Sequence, residues 1–147
     1  MSLDVYLYTE EAQVQLEQIC VRREGRTIKI SAEEWNALYP DREPVVLRAV
    51  ETNCVFSANI THNLNKMAEQ AGLYQLLWRP EELSYTTAKQ LIAGLQFGLG
   101  ILRGDPERFK PFNPENGWGT YEGLVEFTGE YLAACQKYPE ATIGVSR

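Results

Sequence analysis

The sequence predicts an α+β protein, in which a small, mostly antiparallel sheet packs against three or four helices. Two observations carry this prediction. Hydrophobic residues alternate at both ends of the chain, over residues 3–8 and 141–145, whereas the segments between residues 64 and 135 have helical periodicity. We therefore expect the N-terminal and C-terminal strands to lie in the same sheet.

The first strand is predicted from Leu3, Val5 and Leu7, which alternate with polar or aromatic residues and indicate one buried face. Residues 14–30 alternate on both sides of a charged turn at 22–26 and indicate a hairpin at the sheet edge. Residues 14–44 as a whole are more charged than the rest of the chain. We interpret them as a possible variable excursion from a single domain that spans residues 1–147.

A short helix should follow Ser31, which can cap it with Glu34 in the capping-box position, and should end before Pro40. Residues 45–56 are rich in Val, Thr, Phe and Cys and predict a returning strand. Residues 57–61 then form a small polar junction that leads into the next helix.

Three further helical segments are predicted. The first covers residues 64–71 and ends at Gly72, the second carries an apolar stripe from Leu91 to Leu102, and the third covers residues 121–135. Gly94, Gly98, Gly100 and Gly104 lie inside or just after the second segment. They indicate close packing of another helix or of the sheet against the bare backbone, since an interior glycine costs about 1 kcal/mol relative to alanine. A long loop is expected over residues 104–119.

Composition excludes several classes of protein. The chain has 147 residues with a net charge of −6, which argues against a protein that wraps a nucleic-acid polymer or lies on an anionic membrane. Its three cysteines indicate no disulfide framework, and its longest apolar stretch is too short to cross a bilayer. The N-terminus does not resemble a signal peptide. We expect a cytoplasmic protein of a bacterium or phage-infected cell, without metal or cofactor.

The densest polar segment suggests a first ligand-binding region. Backbone amides at a helix start attract anions, and side chains at the same place would add donors and acceptors. The candidate residues are Asn59, Thr61, His62, Asn63 and Lys66. Thr61 can instead act only as a helix cap, and the lone His62 can be structural.

Two more segments contribute candidates. In the first, Trp118 is flanked by two glycines and lies close in sequence to Asn116 and Tyr121. The Trp118 indole could stack on a flat ring of a ligand, or it could fill the core beneath a turn. Trp78 precedes Arg79, whose guanidinium could hold a phosphate or carboxylate, or could clamp Glu81, Glu82 or a helix C-terminus.

The blocks ITHNL, LWRPE and NGWG-Y, with the terminal ATIGVSR, resemble a family of small uncharacterised proteins of bacteria and phages. The resemblance covers the first strand and residues 45–147. It implies a shared site and a phage setting, and it implies no reaction.

Together these residues suit a nucleotide-like ligand, and we expect a non-enzymatic binder. By analogy, its role in a phage would be that of a sponge that sequesters a signalling nucleotide. Two alternatives stay open. One is a small metal-independent enzyme in which His62 is the acid or base, and the other is a protein-interaction module. A homodimer is a reasonable expectation for either binder or module.

Overall fold

The computed structural model describes residues 1–147 and contains a five-stranded antiparallel sheet with the order β2-β3-β4-β1-β5. The strands are β1 (Ser2–Leu16), β2 (Ile19–Arg23), β3 (Arg26–Ile30), β4 (Ala49–Thr61) and β5 (Thr142–Ser146). The N-terminal strand lies between β4 and the C-terminal strand. The predicted α+β class, with both terminal strands in one sheet, is confirmed.

Six α-helices accompany the sheet. They are α1 (Ala32–Leu38), α2 (Asn65–Gln70), α3 (Tyr74–Trp78), α4 (Ala88–Gly104), α5 (Pro106–Phe109) and α6 (Tyr121–Lys137). The predicted segment 64–71 contains α2, whereas α3 and α5 have only five and four residues, which is too short for helical periodicity to predict them. No helix is long and apolar enough to cross a membrane.

The hydrophobic core lies between the sheet and the two long helices. Leu3, Val5 and Leu7 are fully buried, and so are Phe127 and Tyr131 of α6. Each such side chain contributes about 1.5–3 kcal/mol relative to exposure. The alternation that predicts the first strand therefore reports a real division between a core face and an outer face.

The predicted hairpin over residues 14–30 is too long. Val14 and Leu16 belong to β1 and pair with Glu51 and Ala49 of β4, and only β2 and β3 form a hairpin. Val14 and Leu16 are 69% and 63% exposed, so their alternation does not mark a buried face that could fix the pairing register.

The predicted polar junction at residues 57–61 is also wrong, because β4 begins at Ala49 and continues through these residues. These polar side chains are compatible with a strand, since Asn59 is hydrogen-bonded across the sheet to Ser2 and Asp4. The predicted loop at 104–119 contains α5, which begins at Pro106, a residue well suited to the first position of a helix.

The predicted close packing is confirmed at Gly94 and Gly98 of α4, but it is wrong at Gly100 and Gly104, where an added Cβ atom would meet nothing within 4 Å. A Cβ atom on Gly94 would lie 2.6 Å from Leu76, and one on Gly98 would overlap the Leu73 side chain and approach the Ala71 carbonyl oxygen. The missing side chains therefore let the segment around α3 lie directly against the α4 backbone. The packing offsets the low helix propensity of glycine.

Candidate ligand-binding site

Three segments distant in sequence meet at the end of β4. The carbonyl oxygen of Gly25, in the β2–β3 turn, accepts a 2.6 Å hydrogen bond from the Thr61 amide. A Cβ on Gly25 would lie 2.6 Å from the Gly119 nitrogen, and one on Gly119 would lie 2.9 Å from the Thr61 methyl group. Both glycines have positive φ, so both the backbone conformation and the close approach favour glycine here.

His62 joins this region to α3. The indole nitrogen of Trp78 donates a 2.8 Å hydrogen bond to His62 Nδ1, and Trp78 is only 2% exposed. Burial and the N-terminal ammonium lower the pKa of His62, and Asp4 opposes them. The neutral imidazole therefore carries its proton on Nε2 and uses its lone pair on Nδ1 for Trp78, which leaves no free lone pair for a general base.

The backbone of Trp118 is hydrogen-bonded on both sides, and the residue is 39% exposed. Its backbone nitrogen donates to Asn116 Oδ1 at 2.9 Å, and its carbonyl oxygen accepts from Asn63 Nδ2 at 3.0 Å. The Arg22 guanidinium lies 5.6 Å from the indole centroid, within cation–π range. An exposed aromatic ring with a fixed backbone can bind a ligand at low entropic cost.

The indole borders a cavity of about 550 Å³ between the β2–β3 hairpin and the start of α6, which we call the Trp118 recess. Its charged lining consists of Arg22, Arg23, Arg26, Glu24, Glu122 and Glu126. Thr120 also lines it and caps α6 by accepting a 2.9 Å hydrogen bond from the Gly123 amide. The recess thus combines an aromatic wall, cations and the first turn of a long helix.

Asn59 does not line the Trp118 recess, but it is hydrogen-bonded to Arg22, which does. Its side-chain oxygen accepts a hydrogen bond from Arg22 Nη1, and its amide donates to Asp4 at 2.6 Å and to Ser2 at 2.9 Å. Arg22 Nη1 also donates to Thr27 Oγ1 at 3.2 Å. Asn59 therefore positions the guanidinium that faces Trp118.

The first predicted block contacts each of the other two, through His62 to Trp78 and through Asn63 to Trp118, but the three blocks do not line one cavity. Among the ten predicted residues, only Trp118 lines any of the five principal cavities. Thr61 and Trp78 are 2% exposed, and the buried Tyr121 donates its hydroxyl to the Leu102 carbonyl at 2.5 Å. These three residues have structural roles. Lys66 is exposed on α2 and does not line the recess.

The clamp expected of Arg79 is made by a different residue. Arg147 Nη1 donates to the carbonyl oxygen of Trp78 at 2.7 Å and to Glu81 at 2.6 Å, so the C-terminal residue satisfies the end of α3. Arg79 forms no ion pair within 4.0 Å. Because Arg147 lies 68 positions from Arg79 in the sequence, local spacing carries no signal for this exchange.

Arg22 and Arg23 are the site residues that sequence reasoning missed. They stand in the charged turn RREGR, and that turn was interpreted only as the tip of an edge hairpin. A basic pair beside a glycine turn is a weak signal by itself, and its partner Trp118 is almost a hundred positions away. The folded hairpin brings them together.

No group of three or more His, Cys, Asp or Glu side chains is arranged to hold a metal ion. The chain has no significant match to a protein-family model, to a curated protein or to a solved structure. Its resemblance to small bacterial and phage proteins stays a prediction.

Proposed function

We propose that the protein binds a small nucleotide-like anion in the Trp118 recess and does not convert it. One observation carries this proposal: a 39% exposed indole, on a backbone held by two hydrogen bonds, borders a cavity of about 550 Å³ that is also lined by Arg22 and Arg23. Ligand sites of small molecules have volumes in this range.

The recess chemistry matches each part of a nucleotide. A base stacked on Trp118 would contribute about 1–3 kcal/mol. Arg22 and Arg23 would contact phosphate oxygens, for which a guanidinium has the right planar geometry. Glu24 and Glu122, which form no ion pair, can accept hydrogen bonds from ribose hydroxyls.

The position of His62 favours binding over the alternative in which this residue is the acid or base. Its Nδ1 accepts from Trp78, and it does not line the recess, so it cannot take a proton from a ligand held against Trp118. A protein that holds a nucleotide unchanged would act by sequestration. In a phage-infected cell that role would be the removal of a signalling nucleotide.

The test is native mass spectrometry and calorimetry with a panel of mononucleotides and cyclic dinucleotides. Trp118→Ala should weaken binding by about 5- to 150-fold, the equivalent of one lost stacking interaction. Arg23→Gln should also weaken it, whereas Arg48→Gln, an exposed arginine outside the recess, should not. Bound nucleotide should be recovered unchanged after denaturation. Binding that is absent below about 1 mM, or that ignores Trp118→Ala, would refute the proposal.

A second candidate function, protein interaction, has its own supporting observation. The far ends of β1 and β4 form a two-stranded ribbon that exposes Val14, Leu16 and Val50 by 69%, 63% and 39%. Such residues are typical of contact surfaces, and a second copy of the chain is the simplest partner. Light scattering should then report a dimer that Leu16→Ser disrupts. A monomer over the whole concentration range would exclude self-association.

A further inference from the structure

A second cavity, of about 620 Å³, lies between strands β3 and β4 and the C-terminal half of α6. We call it the α6 groove. We propose that it binds a small amphipathic organic anion, a carboxylate or sulfonate that carries an apolar body. The proposal concerns a different ligand from that of the Trp118 recess and does not depend on it.

The floor of the groove is apolar and well packed. Val55 is 8% exposed, and Phe56 stacks on the fully buried Tyr131 with ring centroids 5.7 Å apart and planes 5° from parallel. Ala134 and Tyr138 complete the apolar surface on the α6 side. A floor of this kind favours an alkyl or aryl group, because burial of apolar surface contributes about 25 cal/mol per Å².

Two lysines stand over this apolar surface without a carboxylate partner. Lys29 Nζ lies 4.9 Å from the Phe56 ring centroid, and Lys137 Nζ lies 5.3 Å from that of Tyr138. Neither forms an ion pair within 4.0 Å. Both lysines therefore remain free to attract an anion at the border of the groove.

The carboxylates of the same groove are already occupied by Arg26. Its Nη1 lies 2.6 Å from Glu126 and its Nη2 lies 2.9 Å from Glu130, while the residue is only 5% exposed. The groove therefore has a net charge of +1 in a chain whose net charge is −6. Charge complementarity selects an anion over a neutral or cationic amphiphile.

Arg26 also carries a polar atom without a partner. Its Nε is buried and makes no hydrogen bond, although Arg26 lines the groove. A buried N–H in this state costs about 1–3 kcal/mol. Because this atom has almost no accessible surface, a ligand in the groove would not reach it, and the role of Arg26 here is to neutralise Glu126 and Glu130.

Octanoate is the probe, with octanol as its neutral counterpart, and calorimetry on the full-length chain is the readout. Octanoate should bind with a dissociation constant below about 1 mM, and octanol should bind more weakly. Lys29→Gln and Lys137→Gln should each weaken octanoate binding by about two- to fivefold. Lys66→Gln, an exposed unpaired lysine outside the groove, is the matched control and should have no effect.

A steric pair of variants locates the probe. Ala133 is an exposed residue of α6 that lines the groove, so Ala133→Trp should abolish octanoate binding, whereas Ala93→Trp on the surface of α4 should not. Trp118→Ala should leave octanoate binding unchanged, which separates this site from the recess. The proposal is overturned if octanoate does not bind, if Ala133→Trp binds it normally, or if octanol binds as tightly and the lysine variants have no effect.

Discussion

The hydrogen bond between Trp78 and His62 gives the sharpest stability prediction. Replacement of His62 by leucine removes the acceptor of a 2.8 Å hydrogen bond. The indole N–H of Trp78, a residue that is only 2% exposed, is then left without a partner. A buried donor without a partner costs about 1–3 kcal/mol, because water cannot replace the lost acceptor. For a chain of this size, each kcal/mol corresponds to a decrease in Tm of roughly 2–4 °C.

His62→Asn is the matched control. The Oδ1 atom of asparagine can occupy nearly the position of imidazole Nδ1 and accept the same hydrogen bond, so this variant should be closer in stability to the parent. Urea unfolding followed by circular dichroism, near neutral pH, gives the free energies of unfolding. If His62→Leu is as stable as the parent protein, the assigned hydrogen bond does not hold Trp78.

The same pair predicts a pH dependence with a definite sign. Since the pKa of His62 is lowered on folding, the unfolded chain binds more protons just below the ordinary histidine pKa of about 6.5. The contribution of His62 to stability is therefore present above that value and is lost as the pH falls. The parent protein should lose more stability than His62→Asn between about pH 7 and pH 5. Equal losses would contradict the assignment.

Three further predictions concern packing, thiol chemistry and capping. Gly98→Ala should destabilise the protein in thermal unfolding because the new methyl group overlaps Leu73. Gly100→Ala has nothing within 4 Å of its new methyl group and should stabilise the protein by up to about 1 kcal/mol. The same sign for both variants would contradict the packing account. Burial raises the pKa of Cys135 to about 12. A thiol reagent near neutral pH should therefore modify the exposed Cys20 first and Cys135 only on unfolding. Rapid modification of Cys135 in the folded chain would be inconsistent with its burial. Thr120→Ala should cost about 1 kcal/mol, since it removes the cap of α6, and an unchanged free energy of unfolding would show that the cap is dispensable.

The fold class could be predicted because its signals are local. Leu3, Val5 and Leu7 alternate and are all buried, so the pattern and the burial agree. Val14 and Leu16 have the same alternation but are exposed, and the pattern there carries no information on pairing. Asn59 lies in β4, although its segment is predicted as a polar junction. The sequence pattern does not reveal the strand here, because the side-chain partners of Asn59, Asp4 and Ser2, lie on β1.

The candidate site could be predicted only in part. The glycines around Trp118 correctly point to an unusual loop, and the structure leaves that indole half-exposed. The turn that carries Arg22 and Arg23 could be predicted, but its position beside Trp118 could not, since almost a hundred residues separate the two segments and no local pattern signals the contact. Trp78 and Tyr121 were expected at the site, but their hydrogen bonds to His62 and Leu102 hold them in the interior.

The central claim is that Trp118 contacts a nucleotide-like ligand, and the indole N–H signals of the protein test it most directly. The chain has three tryptophans. Besides Trp118, they are the buried Trp78 and Trp35 of α1, which packs on Tyr39. In a nitrogen–proton correlation spectrum, the bound nucleotide should shift the Trp118 indole signal and leave the signals of Trp35 and Trp78 in place. Saturable nucleotide binding with an unmoved Trp118 signal would contradict the account.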